Sequence, residues 1–317
     1  MPTPPRGAPR RSDHEQAPIS CIENTGWAER GTCEIRGLAL ALVVMLTLGA
    51  AACGRDSPRE RPGQRTATPT RQLTLVTYNV LADPRRATAR LPALLAILKA
   101  TEADIIALQE VTPWFFRALM NQPWARRYHR TPAGFGREIP GGLLILSRFP
   151  ITRTLVARLP GRQGRKGLLA DLLVNGATLA VLTCHLESHL GDGKTRAAQL
   201  AVLLPLLQHT PDAVLLGDLN FGDKVQPETK QLPKTYRDLW TALRKDAPGY
   251  TWDNERSAMA KKAAFPNEQS RRLDRILWRS TRWRPHTVRI IGTRPVAPDK
   301  PALFPSDHFG LMGVLQR

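Results

Sequence analysis

The segment AVLLGDLN, residues 213–220, is an apolar run that ends directly in an acid, Asp218, and an amide, Asn220. The same pattern recurs at TYN (Asn79), ALQE (Glu110), RRLD (Asp274) and PSDH (Asp307 and His308). Acidic side chains are rarely buried unless they are paired or bound to a metal. Because the strands of one sheet end along a common edge, we expect these polar groups to converge in one site.

Apolar periodicity predicts the strands and helices around these groups. Strands are expected at residues 73–81, 105–111, 142–147, 168–174, 178–185, 213–217, 273–278, 287–291 and 309–315. Helices are expected at residues 90–99, 114–120, 195–208 and 236–244. Many strands with few helices and long loops predict an α+β fold, in which sheets pack together and helices lie outside.

The 317-residue chain divides into three parts. Residues 1–53 form an N-terminal extension, and residues 54–72 are a linker rich in Arg, Pro, Thr and Ser without apolar periodicity. Residues 73–317 hold all the predicted strands and helices. That length permits a large globular domain with a proper hydrophobic core.

The N-terminal extension contains Leu38–Ala52, fifteen residues without a charge. As a helix this segment would span about 22 Å, less than the roughly 30 Å of a hydrocarbon core, which is typical of a signal peptide. Its small residues followed by Cys53 resemble a bacterial lipoprotein cleavage site, where the cysteine becomes the acylated first residue. We therefore expect export to the cell envelope and a lipid anchor at Cys53; a plain secretory signal and a buried helix are the alternatives.

Basic residues dominate the charge of the chain, with 46 Lys and Arg against 27 Asp and Glu, a net charge of +19. Residues 1–53 are neutral and residues 54–72 carry +3, so residues 73–317 carry the remaining +16. Such a field attracts polyanions: nucleic acid, anionic lipid headgroups or phosphorylated small molecules. A solvated basic surface without a partner is the alternative.

Oxygen donors dominate the candidate metal ligands. The chain has four cysteines without a CxxC pair, which argues against structural zinc. Ionised carboxylates gathered in one place would repel one another without a cation. Carboxylate and amide oxygens with two candidate histidines favour Mg²⁺ or Mn²⁺.

Seven motifs carry a family resemblance: TYNVL, IIALQEV, TCHLES, LLGDLN, YTWDN, RRLDRIL and PSDHFGLMGVL. In this order they resemble the endonuclease/exonuclease/phosphatase superfamily, which has the deoxyribonuclease-I-like fold, over residues 73–317. HLES, YTWD, LDRI and PSDHFGL are most similar to the 5′-tyrosyl-DNA phosphodiesterase branch. The resemblance implies a four-layer α/β/β/α sandwich of two packed, mainly antiparallel sheets with outer helices.

The resemblance also implies a Mg²⁺ site, for which Mn²⁺ is an alternative ion. Glu110 would be the principal ligand, with Asn79 and Asp307 in the metal shell. The positive walls of the protein would then hold a polyanion over this metal-binding floor.

The catalytic roles that the resemblance implies fall on five residues. Asp218 and Asn220 would position the attacking water and the phosphate. His308 would contact the scissile phosphate, held by Asp274 as a carboxylate fixes the tautomer of an imidazole. His185 would be a second phosphate contact or the acid for the leaving group.

Three features bear on the substrate. Trp252 in YTWD matches a substrate-groove aromatic of the branch, suited to stacking on a base, and a core tryptophan is the equal alternative. Phe221 and Gly222 stand where the branch tends to place an arginine that contacts nucleic acid. Residues 256–272 carry five basic residues and are expected to have no fixed structure; they could clamp a phosphate backbone or form a solvated loop.

These observations favour a monomeric, Mg²⁺-dependent phosphodiesterase that acts on nucleic acid or a similar phosphodiester by in-line attack of water. A phospholipid or phosphomonoester hydrolase of the same superfamily is the first alternative. An inactive, membrane-tethered protein that binds polyanions is the second.

Overall fold

The computed structural model describes residues 20–22, 69–132 and 139–317. The predicted signal peptide, the cleavage site at Cys53 and most of the predicted linker lie outside these residues. No helix within the described ranges is long and apolar enough to cross a membrane.

The first of two sheets has seven strands, in the order β1-β6-β7-β8-β9-β11-β10. Its members are β1 (Ser20–Ile22), β6 (Ile151–Arg158), β7 (Lys166–Val174), β8 (Ala177–His185), β9 (Ala213–Asp218), β10 (Arg237–Asp238) and β11 (Asp274–Arg279). Neighbouring strands are antiparallel except for β8 and β9, which run parallel.

The second sheet has six strands, in the order β12-β13-β2-β3-β5-β4. Its members are β2 (Gln72–Asn79), β3 (Ile105–Gln109), β4 (His129–Arg130), β5 (Leu144–Ser147), β12 (Arg284–Ile291) and β13 (Gly310–Gln316). Here β2 and β3 form the parallel pair. Strand β13 lies between β12 and β2, so the first and last strands of the predicted domain are neighbours.

The α-helices are α1 (Ala87–Ala100), α2 (Pro113–Met120), α3 (Gly193–Leu203), α4 (Glu228–Gln231), α5 (Leu239–Leu243) and α6 (Ala258–Ala263). The longest, α1 and α3, connect the two strands of a parallel pair, as crossover connections require. Helix α1 joins β2 to β3, and α3 joins β8 to β9.

Apolar layers on both faces of each sheet hold the molecule together. Leu75 of β2 and Val181 of β8 are buried between the sheets. The next residue of each strand lies on the opposite face, where Val76 belongs to the layer under α1 and Leu182 to the layer under α3. Because side chains alternate along a strand, both sheets bury both faces. The predicted four-layer α/β/β/α sandwich is confirmed.

Several boundaries differ from the predictions. The helix expected over 195–208 is α-helical to Leu203 and then tightens into a 3-10 turn, Leu204–Leu207, where Pro205 has no N–H to donate. The helix expected over 236–244 starts only after Asp238, whose carboxylate accepts from the backbone N–H of Trp240 at 2.9 Å.

The structure also contains two elements of six or more residues that periodicity did not predict. The alternation of β6 is interrupted by a register shift between Ile151 and Arg153, which hides its period. The prediction that residues 256–272 lack structure is wrong, because α6 lies there. The Ser257 hydroxyl caps α6 by accepting from the N–H of Ala260.

Candidate active site

The two parallel pairs bring their carboxyl ends to one edge of the sandwich. Asn79 lies opposite Gln109 where β2 and β3 end, and His185 lies opposite Asp218 where β8 and β9 end. The two sheets meet there, because Nδ2 of Asn79 donates to Oδ2 of Asp218 at 3.1 Å. Glu110 follows β3 directly.

Glu110 is held as an ionised carboxylate. Its backbone has a φ of 58°, in the left-handed region, which turns the chain sharply after β3. Oε1 accepts from Nδ2 of Asn79 at 3.0 Å, and Oε2 accepts from the N–H of Ala82 at 2.8 Å. Burial alone would raise the pKa of Glu110, but the neighbouring His185 and these two hydrogen bonds favour the anion, and the pKa lies below its ordinary value.

Asn79 links two acids from different sheets. Its Nδ2 group donates to Glu110 and to Asp218, and its Oδ1 accepts from the N–H of Leu81 at 3.1 Å. The amide therefore presents its amino group to the carboxylates. Coordination of a cation by Asn79 would require the amide to turn over, so that role stays a prediction.

Asp218 lies at the centre of the site and is fully buried. Oδ1 accepts from the N–H of Asn220 at 3.0 Å, while Oδ2 lies 3.3 Å from Nε2 of His185 and 3.6 Å from Nε2 of His308. Burial by itself would raise the pKa of Asp218, but the charge of His308 and the Asn79 hydrogen bond lower it. Both histidine rings thus face one carboxylate oxygen.

His308 and Asp274 form the predicted pair. Nδ1 of His308 lies 2.8 Å from Oδ2 of Asp274. Burial disfavours the imidazolium, but Asp274 and Asp218 outweigh this effect and hold the pKa of His308 well above its ordinary value. Burial raises the pKa of Asp274 to about 6. With its proton on Nδ1 directed at Asp274, the His308 imidazolium has its Nε2–H available to Asp218 and the cleft.

His185 is the neutral counterpart of His308. Burial, with a smaller contribution from the Arg165 charge, lowers the pKa of His185 to about 4. Nη1 of Arg165 lies 2.8 Å from Nδ1 of His185, so that ring nitrogen accepts and the hydrogen sits on Nε2, toward Asp218. His185 is therefore a neutral hydrogen-bond donor near pH 7.

Asp307 is the second acid near Glu110. Its Oδ1 accepts from the N–H of His308 at 3.1 Å and from the hydroxyl of Ser306 at 3.2 Å. Burial raises the pKa of Asp307, and the charge of Glu110 raises it further. Within the described residues no basic side chain forms a salt bridge with Asp307.

These groups line a cleft of about 190 Å³. Trp252 forms part of its wall but is only 7% exposed, in a small apolar cluster with Ala260 and Leu273. Its ring lies 4.9 Å from the ring of His308, centroid to centroid. Phe265 also lines the cleft, and the centroid of its ring lies 5.4 Å from that of His189. Trp252 packs directly against His308, and base stacking on Trp252 stays a prediction.

The charges of the site fit a divalent cation. Four carboxylates, those of Glu110, Asp218, Asp274 and Asp307, have only the two histidines as salt-bridge partners among the described residues. The His308 imidazolium, the neighbouring Arg165 and the buried Arg90, whose charge acts on Asp307 and Glu110, offset three of these four charges and leave one negative charge uncompensated. The donors are all oxygen or imidazole, as Mg²⁺ or Mn²⁺ requires.

Two sets of side chains could hold this cation. Single ligand atoms of Asp218, Asp274 and His308 lie within 4.8 Å of one another. Asp274 and His308, however, already satisfy each other through their hydrogen bond. The charge of Glu110 raises the pKa of Asp307, and a cation between these two carboxylates would relieve that repulsion, so their role as ligands stays a prediction.

Comparison with known proteins places this arrangement in a family. The sequence model of the Endonuclease/Exonuclease/phosphatase family matches residues 76–308, from β2 through His308. The chain belongs to this family. The match includes every residue that was predicted to form the site.

Tyrosyl-DNA phosphodiesterase 2 proteins are similar to this member of the family. The Xenopus laevis protein is 28% identical over 249 residues, which cover 75% of this chain and 65% of the relative. The human protein is 26% identical over 266 residues, covering 81% of this chain and 70% of the relative. The chain thus spans about two thirds of the length of the curated relatives it matches.

Solved structures show the same fold. D. rerio TDP2 complexed with single strand DNA product has a TM-score of 0.67 at 25% identity, covering 78% of this chain and 99% of that chain. The beta toxin of Staphylococcus aureus has a TM-score of 0.61 at 20% identity, covering 76% and 99%, and shows the fold alone. The predicted resemblance to the superfamily and to its tyrosyl-DNA phosphodiesterase branch is confirmed.

The structure gathers all nine predicted site residues of this family member around one cleft; they are Asn79, Glu110, His185, Asp218, Asn220, Trp252, Asp274, Asp307 and His308. Arg165, which contacts His185, was not predicted, because one arginine in an Arg-rich chain belongs to no motif. Thr251 was not predicted either; its hydroxyl accepts from the N–H of Asp274 at 3.0 Å.

The structure shows the surroundings of two features that bear on the substrate, the segment 256–272 and Phe221. Arg271 lines the cleft, whereas Arg272 is buried in ion pairs with Asp223 and Asp238, so residues 256–272 are not simply a solvated loop. Phe221, at the position where the branch tends to carry an arginine, is buried, with the guanidinium of Arg275 4.9 Å from its ring.

Proposed function

We propose that this chain is a divalent-cation-dependent phosphodiesterase that hydrolyses phosphodiester bonds of nucleic acid. The observation that carries the proposal is the convergence of Glu110, Asp218 and Asp307 on one cleft beside the Asp274–His308 pair. These residues lie far apart in the chain. Together they offer carboxylates that can bind a cation and an imidazolium that can contact a phosphate.

Glu110 and Asp307 would hold the cation. A bound Mg²⁺ or Mn²⁺ would neutralise the negative charge that develops on the phosphate. Asn79 keeps Glu110 and Asp218 at a fixed separation through its two donated hydrogen bonds. That bridge fixes the position of the cation site relative to the phosphate contacts.

His308 is suited to stabilising the phosphate. Its raised pKa keeps the ring charged near pH 7, and Nε2–H points into the cleft while Asp274 fixes the other nitrogen. A fixed cationic donor aimed at a phosphate oxygen needs no reorganisation during the reaction. Asp274 therefore acts as a positioning residue.

Asp218 and Asn220 would orient the attacking water. Asp218 is ionised and accepts hydrogen bonds, and Asn220 is fixed by its donation from Nδ2 to the carbonyl of Leu186 at 2.9 Å. His185 is neutral and donates from Nε2, which favours phosphate contact over the role of acid for the leaving group. Arg165 adds a positive charge on the same side.

Nucleic acid is the proposed substrate for two reasons. Residues 73–317 carry +16, a field that attracts a polyanion. Proteins similar to this chain are named tyrosyl-DNA phosphodiesterases, and one is described in complex with a single-stranded DNA product. A phosphodiester at or near the end of a DNA strand is the substrate to try first.

The test is a substrate panel with the purified protein, with Mg²⁺, with Mn²⁺ and with a chelator. Single-stranded DNA, a nitrophenyl ester of thymidine monophosphate, nucleotide monoesters and phospholipid vesicles are compared side by side. Chelator-sensitive cleavage of DNA supports the proposal, and turnover confined to vesicles or monoesters contradicts its substrate. Binding of DNA without turnover of any substrate supports the inactive polyanion binder instead.

Export with a lipid anchor is proposed as well. The charge-free segment 38–52 followed by Cys53 supports it. Mass spectrometry of the mature N-terminus tests it: a diacylglyceryl cysteine at position 53 is expected, and an intact residue 1 contradicts it.

A further inference from the structure

A second, larger groove lies beside the active-site cleft. It runs between the loop after β9, helix α5 and strand β11, and its volume is about 890 Å³. Arg272 and Arg275 lie at its floor, and Lys224, Lys234 and Lys245 belong to its walls. We call this feature the lysine groove.

The floor of the lysine groove is electrically balanced. Nη1 of Arg272 lies 2.6 Å from Oδ2 of Asp238, and Nε lies 3.2 Å from Oδ2 of Asp223. Arg275 contacts the same two acids, with Nη1 3.2 Å from Asp223 and 3.5 Å from Asp238. Two guanidinium groups thus cancel two carboxylates, and these acids are not available to offset the walls.

The walls carry an unbalanced positive charge. Lys224, Lys234 and Lys245 are exposed, and no salt bridge engages them within the described part of the chain. The guanidinium of Arg237 lies 4.5 Å from the ring of Trp278 and is exposed as well. Asp246 is the remaining acid of the lining, so six basic side chains face three acidic ones and the surplus is three positive charges.

The lysine groove and the cleft share a wall. Arg271 lines the cleft, and the next residue, Arg272, lines the groove. Asn220 lines the cleft and Lys224 the groove, and four residues of chain span at most about 14 Å. The two linings are therefore neighbours along the chain at the start of β11 and in the loop after β9.

We propose that the lysine groove binds the phosphate backbone of a single nucleic acid strand whose scissile phosphate lies in the cleft. The inference rests on the proposed function and adds a second contact region to it. A concave groove with spaced lysines suits a flexible, chain-like polyanion, whose phosphates they can contact one at a time. A flat bilayer surface would not reach the floor of such a groove.

The test compares two triple variants with equal loss of charge. In the first, Lys224→Gln, Lys234→Gln and Lys245→Gln empty the groove walls of lysine. In the control, Lys99→Gln, Arg117→Gln and Arg127→Gln remove three exposed charges from the opposite helical layer, around α1 and α2. All six positions are exposed, and thermal melting checks that both variants fold.

The readout is the ratio of kcat/KM for a long single-stranded oligonucleotide to kcat/KM for a dinucleotide. The groove variant should lower this ratio about tenfold, and the slope of log K against log salt should become shallower by about 2. The control variant should change neither quantity by as much. Equal changes in both variants would contradict the proposal that the lysine groove binds the strand. The general positive charge of the protein would then explain the effect.

Failure of the proposed function has a different signature. If wild-type protein cleaves neither substrate, the phosphodiesterase proposal fails, yet anisotropy of a labelled oligonucleotide still measures the salt slope of binding. A shallower slope in the groove variant alone then supports the groove as a polyanion site. An unchanged slope overturns it.

Discussion

Two charge clusters lie on opposite sides of strand β11, and they differ in how their charges are balanced. Asp274 faces the cleft, and the next residue, Arg275, faces the cluster formed with Arg272, Asp223 and Asp238, as the alternation of a strand requires. That ion-pair cluster matches two guanidinium groups with two carboxylates. On the cleft side, the four carboxylates of Glu110, Asp218, Asp274 and Asp307 face one imidazolium and the guanidinium groups of Arg165 and Arg90.

The difference separates stability from chemistry. A balanced cluster is complete in the folded chain alone, so each member matters for folding. An acid-rich cluster costs folding energy until a cation compensates its charge. Substitutions should therefore reduce stability on one side of β11 and activity on the other.

The largest effect is expected from Glu110→Gln or Asp307→Asn. Each should lower kcat/KM by about 10³-fold, because each removes charge from the cation site. Asp307→Asn should not lower the unfolding temperature, because the fold raises the pKa of Asp307 and so disfavours its charge, whereas Glu110→Gln should lower it slightly, because the fold stabilises the Glu110 carboxylate. Steady-state assays on single-stranded DNA with Mg²⁺, together with thermal melts, measure both quantities.

Glu102→Gln is the matched control, since Glu102 is an exposed acid just after α1. It should leave both quantities as in the wild type. Substantial activity in Glu110→Gln would show that the cation site is wrongly assigned.

The opposite outcome is expected across the strand. Arg272→Met should lower the free energy of unfolding by about 3 kcal/mol, because it leaves Asp223 and Asp238 with a single partner. The kcat of the folded fraction on a dinucleotide should change far less than for Glu110→Gln. Urea unfolding measures the loss, and Arg244→Met, at an exposed position, is the control. A stable but inactive Arg272→Met protein would contradict the assignment of the ion-pair cluster to stability rather than activity.

Asp274→Asn tests the positioning of His308. It should lower kcat by about 10²-fold near neutral pH, since the imidazolium loses its orienting partner. The raised pKa of His308 depends on Asp274, so the variant lowers that pKa. The imidazolium is then lost at lower pH, and the alkaline limb of the kcat profile should move toward acid. If the alkaline limb does not move, it does not report the titration of His308.

The smallest effect is expected at Trp252. Trp252→Leu removes the aromatic contact with His308 and should lower kcat about fivefold, corresponding to about 1 kcal/mol, with KM little changed. Trp252→Phe retains an aromatic ring and should recover most of the rate. A rise in KM with an unchanged kcat would instead identify Trp252 as a stacking surface for a base.

Local sequence patterns predicted the residues that follow strands. Asn79, Glu110 and Asp218 each end or follow an apolar run, so strand periodicity and one polar residue sufficed to place them. Arg165 and Thr251 have no comparable signal, because their roles depend on which loops meet after folding. The ion pairs of Arg272 were equally hidden, since Asp223 and Asp238 lie tens of positions away along the chain.

Irregular elements were hidden for a different reason. A 3-10 turn and an α-helix share nearly the same apolar spacing, so Pro205 alone marks the change after Leu203. The short helix α6 has too few turns for periodicity to register. Family resemblance added the residue roles, which no pattern of hydrophobicity contains.

The place of β13 in the second sheet has a consequence for the order of folding. Thr77 pairs with Leu311, which is synthesised long after it, and Asp307 and His308 lie just before this strand. Non-local pairings of this kind close late and slowly. A growing chain should therefore acquire cation affinity only when its final strand docks, which makes metal uptake a reporter of completed folding.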